Sequence, residues 1–193
     1  TNTVNRPDLI DVYKLVMNKA GDQYRYDGKW MPLTSKRVWL PVKMGPFNLP
    51  VPQTVYRSIH GPVIKNEKGY YAIRYAGIDN VKVVEQYYRN TKATNWDEWT
   101  KSMSIGGIPA TNFIYADKTG RVAYIYNALF PDRKPGYDYT KLLPGDTSKA
   151  MWAGPVGFDR YPKIVDPASG FVQNANNTPF LAAGPGSEMD RSA

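Results

Sequence analysis

Residues 108–133 read IPATNFIYADKTGRVAYIYNALFPDR, and this stretch decides the fold that the chain is expected to adopt. Two runs rich in aromatic and β-branched residues, 112–116 and 121–127, flank the sequence Asp-Lys-Thr-Gly. Such residues favour a pleated, half-buried surface, and a turn that ends in glycine can take a positive φ there. The pattern therefore predicts an antiparallel β-hairpin with its turn at residues 118–119.

Asn112 is the polar residue at the head of the first run. The period of two along a strand places Asn112, Ile114 and Ala116 on one face, and Phe113 and Tyr115 on the other. A buried amide without partners costs about 1–3 kcal/mol. The Asn112 side chain is therefore expected either to satisfy itself locally, as a cap at the strand end, or to direct its N–H towards a ligand.

The composition indicates a globular chain and excludes several kinds of chemistry. At 193 residues and 42% apolar content, the chain is long enough to bury a core, as one large domain or two small ones. It contains no cysteine, which excludes disulfides, thiolate metal sites and a cysteine nucleophile. A single histidine, His60, excludes a multi-histidine metal site, and its His-Gly-Pro context favours a structural role.

The net charge of +8 raises the question of nucleic-acid binding. The 25 basic residues are dispersed along the chain, and no helix-turn-helix, RNP-like or zinc-finger pattern is present. A solvated basic surface is therefore the better interpretation, and no nucleic-acid partner is expected. No apolar run approaches the roughly 18–20 residues that cross a bilayer, so no membrane span is expected either.

Several short motifs, weak one by one, are specific in their order and spacing. In chain order they are HGPV at 60–63, PATN at 109–112, AD at 116–117, Gly120, Val122, PDR at 131–133, LPGD at 143–146, QNANN at 173–177 and TP at 178–179. In this order and at these separations they resemble the penicillin amidase (penicillin acylase) family, which are N-terminal-nucleophile hydrolases that cleave amides. The run YRYDGKW at 24–30 is especially similar to the aculeacin A and acyl-homoserine lactone acylases of that family.

The resemblance implies roles for two residues. It places Asn112 in the oxyanion hole, and Arg133 near the acyl-binding side of the site, where it would clamp a carboxylate or hold a loop that shapes the acyl pocket. It also implies that residues 1–180 are an internal part of the catalytic β-chain, and that the nucleophilic serine lies upstream. For Arg133, a surface ion pair is the structural alternative.

Two further alternatives stay open from the residues. Thr1 could itself be the nucleophile, because an N-terminal threonine serves other hydrolases of this superfamily, and an α-amine near pH 8 can act as its base. The run TNTVN at 1–5 instead resembles an internal stretch of the family. The second alternative is a non-catalytic, stand-alone β-rich binding domain.

The predicted fold class is α+β, mostly antiparallel sheet with two short helices, as part of an αββα N-terminal-nucleophile hydrolase sandwich. A helix at 95–103 is predicted from its N-cap Asn95, its acidic first turn and the stripe Trp96, Trp99 and Met103. The other expected elements are strands at 11–17, 35–43, 54–64 and 70–75, a hairpin at 23–31 turning at Asp27-Gly28, and a loop or linker at 44–53. A second helix is expected at 79–90, where Val81, Val84, Glu85 and Tyr88 follow helical spacing and form a largely apolar stripe, and a poorly ordered tail is expected at 181–193.

The resemblance also sets expectations about partners and surroundings. The substrate would be an acyl amide, such as a β-lactam, an acyl-homoserine lactone or a lipopeptide. The protein partners would be the remainder of the catalytic chain and an α-chain, in the periplasm or secreted from a bacterium. No cofactor is expected, and a structural calcium ion in the complete enzyme is left open. Asp117 alone is more typical of an Asx turn than of a calcium site.

Overall fold

The computed structural model describes residues 2–3, 5, 7–186 and 189. The chain divides into two compact units. The first contains Thr1–Leu9, Ala76–Asp132 and Gly154–Ala193, and the second contains Ile10–Tyr75 and Arg133–Ala153.

Among the described residues, the regular secondary structure is mostly strand, with two helices. The helices are α1, Val83–Lys92, and α2, Trp96–Met103, and single 3₁₀ turns lie at Phe158–Arg160 and Pro179–Leu181. The strands β1 to β12 are, in order, Asn2–Thr3, Ile10–Lys14, Gln23–Tyr26, Lys29–Pro32, Thr34–Met44, Phe47–Ser58, Gly61–Asn66, Gly69–Tyr75, Ala110–Ala116, Val122–Ala128, Leu143–Pro144 and Lys163–Val165.

The sheet of the first unit is antiparallel, in the order β1-β9-β10-β12. The predicted hairpin is confirmed: β9 pairs with β10 from Ala116 opposite Val122 to Ala110 opposite Ala128. Its turn is centred on residues 118–119, and Gly120 has a φ of 89°. The first strand begins two residues earlier than expected, so Asn112 lies inside the strand and not at its head.

Both faces of this sheet are covered, as the alternation of side chains predicts. Phe113 and Ile125 pack with Trp99 and Met103 of α2, and Trp96 packs against this cluster, so the predicted stripe of this helix faces the core. On the opposite face, a second cluster contains Tyr124, Ile164, Ala182 and Met189. The predicted N-cap of α2 is also confirmed, because the Asn95 side chain accepts a hydrogen bond of 2.9 Å from the backbone N–H of Glu98.

The other helix corrects two expectations. It begins at Val83 and not at residue 79, because the Asn80 side chain accepts from the N–H of Lys82 and forms an Asx turn there. The predicted apolar stripe is also wrong: Val84 is 76% exposed and Tyr88 is 63% exposed. The buried residue is Gln86, whose Oε1 accepts from the backbone N–H groups of residues 107 and 108 at 2.6 and 2.9 Å. The helix is therefore attached to its unit through a polar side chain.

The second unit contains a six-stranded sheet in the order β11-β2-β8-β7-β6-β5 and the separate hairpin β3-β4. All of these pairings are antiparallel except that of β11 with β2. Asp27 and Gly28 both have positive φ, 45° and 79°, which confirms the Asp-Gly turn. The strand expected at 11–17 ends at Lys14, and Met17 forms only an isolated bridge with Tyr24.

The expected loop at 44–53 is wrong, because β6 begins at Phe47 and pairs with β5 from Phe47 opposite Met44 to Arg57 opposite Thr34. Proline is tolerated in a strand where its missing N–H faces an open edge. Among the described residues, β7 pairs with β6 only from Tyr56 to Ser58, so Pro50 and Pro52 lie in the part with an open edge. The strand expected at 54–64 is in fact two, β6 and β7, separated by a turn.

The turn between β6 and β7 requires Gly61, whose φ is 142° and where a Cβ would lie 2.1 Å from the carbonyl oxygen of Ile73.

None of the described helices is long and apolar enough to cross a membrane. Of the expected tail at 181–193, residues 187–188 and 190–193 lie outside the described part of the chain.

Candidate active site

Asn112 lies on β9 between β1 and β10, opposite Thr3 on one side and Tyr126 on the other. The residue is 1% exposed. Its Nδ2 donates a hydrogen bond of 3.3 Å to the hydroxyl of Thr3. The carboxamide is thus buried in the middle of a sheet, which is the environment in which an amide dipole is least screened by water.

The contacts of Asn112 continue into a chain of hydrogen bonds. The Thr3 hydroxyl donates to Oδ1 of Asn174, and Nδ2 of Asn174 donates to the hydroxyl of Tyr124 at 3.4 Å. We call Asn112, Thr3, Asn174 and Tyr124 the asparagine cluster. Burial raises the pKa of Tyr124, with a smaller contribution from Tyr126, so its hydroxyl stays protonated at physiological pH. All four side chains are therefore neutral.

Arg133 lies in the second unit and pairs with the carboxylate of Asp11. Its Nη2 is 2.8 Å from Oδ1 and its Nε is 3.2 Å from Oδ2, a two-pronged contact. Nε1 of Trp152 donates to the same carboxylate at 2.6 Å, and the guanidinium lies 5.2 Å from the ring centroid of Tyr139. We call Arg133, Asp11, Trp152 and Tyr139 the arginine cluster.

The burial of this ion pair is uneven. The Asp11 side chain is completely buried, whereas the Arg133 side chain is 24% exposed. A buried carboxylate must be compensated by charge and hydrogen bonds, because its desolvation costs several kcal/mol. Arg133 supplies that charge, so its contacts differ from those of the surface ion pair considered above. Burial and the charge of Asp11 together raise the pKa of the neighbouring Tyr13.

The motifs HGPV and LPGD, which lie about 80 residues apart, meet in the second unit. Nε2 of His60 donates to the carbonyl oxygen of Gly145 at 2.9 Å, and the imidazole stacks on Tyr13 with 4.5 Å between ring centroids. Burial lowers the pKa of His60, the Gly145 carbonyl opposes this, and Arg74 lowers it further. His60 is therefore a neutral core residue near neutral pH, in the structural environment that its turn motif indicated.

Asp117 closes the hairpin turn. Its Oδ1 accepts from the N–H and the hydroxyl of Thr119, at 2.8 and 2.6 Å, and its Oδ2 accepts from Tyr115 at 2.9 Å. These bonds, led by the Thr119 hydroxyl, hold the pKa of Asp117 at about 2. Burial and the Asp117 contact raise the pKa of Tyr115 to about 12. The Asx-turn interpretation is confirmed.

Asp117 does not belong to a group of acidic side chains that could bind calcium among the described residues. No group of three or more His, Asp or Glu side chains that could hold a metal ion occurs within the part of the chain that the structure describes. The Asp117 oxygens already accept bonds from the turn.

Sequence reasoning missed the partners of both predicted site residues. Thr3 lies 109 residues from Asn112, and Asp11 lies 122 residues from Arg133. The Asn-rich motif at 173–177 was the one available signal for the asparagine cluster, since it contains Asn174. No local pattern marked Asp11 as the partner of Arg133.

The structure is similar to a solved N-terminal-nucleophile hydrolase. A thermostable penicillin G acylase from Alcaligenes faecalis matches it with a TM-score of 0.79 and 27% sequence identity, over 97% of this chain and 33% of that chain. This match confirms the expected fold class, an α+β, mostly antiparallel part of a penicillin-acylase fold.

The profile of the penicillin amidase family matches residues 1–191, and the chain belongs to this family. Penicillin G acylase of Escherichia coli is 30% identical over 184 residues, which are 92% of this chain and 21% of that protein. The acyl-homoserine lactone acylase PvdQ of Pseudomonas fluorescens is 26% identical over 211 residues, which are 94% of this chain and 27% of that protein. The chain thus spans about a fifth to a quarter of the length of these curated relatives.

Proposed function

We propose that this chain is a segment of an amide hydrolase, a penicillin-amidase-type acylase, and that Asn112 is its oxyanion donor. The observation that carries the proposal is the buried Asn112 carboxamide, 1% exposed on a central strand, in a chain that matches the family over residues 1–191. A donor held in a water-poor sheet is preorganised for charge that develops only in the transition state.

In the proposed reaction, the hydroxyl of an N-terminal serine upstream of this chain attacks the amide carbonyl while its own α-amine takes the proton. The carbonyl π-electrons move to oxygen, and the Asn112 N–H stabilises that oxyanion, a contribution of typically about 2.7–4 kcal/mol in comparable enzymes. The C–N bond then breaks, the leaving amine takes the proton from the α-amine, and water hydrolyses the acyl ester.

The proposed substrates are acyl amides, namely a β-lactam, an acyl-homoserine lactone or a lipopeptide. Support comes from relatives that are named as a penicillin G acylase and as acyl-homoserine lactone acylases. The proposed partners are the remainder of the catalytic chain and an α-chain, and the proposed location is the bacterial periplasm or the exterior of the cell.

For Arg133 we propose the loop-holding role and not the carboxylate clamp. The guanidinium already makes a two-pronged contact with Asp11, and a substrate carboxylate would compete with this buried partner. Residue 133 also begins the irregular segment of the second unit, Arg133–Ala153, whose Trp152 contacts the same carboxylate. Arg133 and Trp152 lie near the two ends of that segment, and both bind the Asp11 carboxylate, which holds these ends close together.

The test is hydrolysis of chromogenic phenylacetyl and long-chain acyl amides, and of acyl-homoserine lactones, by the intact enzyme that contains this chain. Turnover by the intact enzyme and none by the 193-residue chain alone is the expected result. Turnover by the isolated chain that disappears when Thr1 is blocked would contradict the upstream serine and make Thr1 the nucleophile; Thr1 lies outside the described residues.

The rival is a stand-alone β-rich binding domain. Family membership does not favour it, and the native mass gives a direct comparison. A native protein of only 21.8 kDa that binds acyl amides without hydrolysing them would support the binding domain and reject the acylase.

A further inference from the structure

Resting on the proposed function, we ask what keeps the Asn112 carboxamide in one orientation. The oxygen and nitrogen ends of an asparagine side chain have nearly the same shape, and a flip about χ2 exchanges a donor for an acceptor. An oxyanion donor must present N–H within about 0.5 Å and 10–20° of the productive geometry. A flipped amide would place an oxygen against the oxyanion and oppose the reaction.

We propose that Thr3 and Asn174 are positioning residues that fix the orientation of the Asn112 amide. Thr3 is the cross-strand neighbour of Asn112 in the register of β1 and β9, so their side chains share one face of the sheet. A threonine hydroxyl has one hydrogen, and here that hydrogen is donated to Oδ1 of Asn174. The hydroxyl can therefore only accept from Asn112, which requires Nδ2 to face it.

We call the hydrogen bonds from Asn112 to Thr3 and from Thr3 to Asn174 the relay. Its last acceptor, Asn174, is itself held in place. Oδ1 of Asn174 also accepts from the backbone N–H of Asn176 at 3.1 Å, and Nδ2 of Asn174 donates to the Tyr124 hydroxyl. Asn176 has a φ of 62°, a left-handed conformation that asparagine tolerates better than most residues, and its N–H closes an Asx turn on the side chain of Asn174. The Asn-rich motif thus fixes which end of Asn174 faces Thr3.

The direction of the relay also specifies how the amide nitrogen is used. The nitrogen of a carboxamide carries two hydrogens. One is donated to Thr3, and the proposed function requires this same nitrogen end of the amide, not the oxygen, to serve the oxyanion. Thr3 and Asn174 act through Asn112 and touch no reacting atom, so they should contribute to kcat and hardly to KM.

The experiment uses the intact enzyme and measures kcat, KM and Tm for paired variants. Thr3→Val keeps the shape of the side chain and removes the hydroxyl, and it should lower kcat about fivefold with KM nearly unchanged, since one net hydrogen bond is worth about 1 kcal/mol. Thr3→Ser restores the hydroxyl and should recover most of that kcat. Thr119→Val, a matched change at the exposed turn of the same hairpin, should leave kcat at the wild-type value.

Coupling between variants separates a relay from independent packing effects. Asn174→Ala should lower kcat about as much as Thr3→Val, and the double variant should be little worse than either single one, because both break one relay. Thr3→Val should cost nothing further in an Asn112→Ala background. A normal kcat for Thr3→Val, or a loss that Thr3→Ser fails to recover, would overturn the positioning role.

The same measurements keep this proposal distinct from the function on which it rests. If Asn112→Ala loses activity and Thr3→Val does not, the positioning role fails and the oxyanion role stands. If Asn112→Ala keeps a normal kcat, the oxyanion role itself is wrong.

Discussion

The asparagine cluster and the arginine cluster are both built around one buried polar side chain, but their energetics differ. Asn112 is surrounded by neutral hydroxyl and amide groups, where each hydrogen bond contributes about 0.5–1.5 kcal/mol net. Asp11 is a buried carboxylate that Arg133 and Trp152 compensate. Removing one partner of such a pair costs about 3–5 kcal/mol, because the other charge is left buried.

This difference separates two residues that the same family resemblance singled out. In the proposed oxyanion role of Asn112, what matters is direction, since the amide would have to present N–H and not oxygen. What matters at Arg133 is charge, since a buried carboxylate depends on it. Variants in the first cluster are therefore expected to change catalysis more than stability, and variants in the second to change stability first.

The largest expected effect tests the arginine cluster. Arg133→Ala should lower the free energy of unfolding by about 3–5 kcal/mol in urea denaturation, because the Asp11 carboxylate loses its counter-charge. The double variant Asp11→Asn with Arg133→Met should recover a large part of that loss, since no buried charge is left. A stable Arg133→Ala protein with a raised KM for carboxylated substrates would instead support the carboxylate clamp.

The second effect tests the asparagine cluster in the intact enzyme. Asn112→Ala should lower kcat by about 10²–10³ with little change in KM, because the lost donor acts only in the transition state. Asn112→Asp should be at least as damaging, since a negative carboxylate repels the oxyanion. A lowered Tm with near-normal kcat, and tolerance of aspartate, would show that Asn112 is a structural residue.

A third, smaller effect is a dependence of stability on pH that belongs to the second unit. Burial lowers the pKa of His60 in the folded protein below its ordinary 6.5. Between the lowered pKa and the ordinary one, the unfolded chain binds the proton and the folded protein does not. Stability should therefore fall as pH drops below about 6.5, with a slope of at most about 1.4 kcal/mol per pH unit for one proton.

The control for this slope is His60→Gln, which keeps an N–H donor for the Gly145 carbonyl but does not titrate. Urea denaturation between pH 5 and 7 should give a flatter curve for this variant than for the wild type. An unchanged slope would assign the pH dependence to other groups. The asparagine cluster contains only hydroxyl and amide groups, so Asn112→Ala should leave the slope unaltered.

The smallest expected effect is the loss of a helix cap outside both clusters, and it serves as a reference for the effects within them. Asn95→Ala removes the side-chain acceptor for the N–H of Glu98 and should cost about 1 kcal/mol of stability without altering KM or the pH slope. Asn95→Ser, which keeps a capping oxygen, should cost much less. Equal losses for both variants would mean that the cap contributes little to the stability of this helix.

Several features were predictable because they depend on neighbours in the chain. The hairpin followed from residue alternation and from Gly120 at the end of its turn, and the N-cap of α2 followed from Asn95 and the acidic residues after it. Asn112 could be singled out on the same basis, because a carboxamide in an otherwise apolar run must find partners. Local backbone preferences determine such features, and distant contacts alter them little.

Long-range pairing decided the features that sequence patterns did not show. Pro50 and Pro52 suggested a loop, yet an open strand edge accommodates both, and α1 turned Gln86 inward where its apolar stripe was expected. The partners of Asn112 and Arg133 come from segments more than a hundred residues away. The sequence by itself determined the hairpin, the turns, the cap and the family motifs. Only the tertiary structure decided which charge faces Asp11 and which hydroxyl faces Asn112. Those contacts depend on strand register and on the pairing of segments that are distant in sequence, and not on local periodicity.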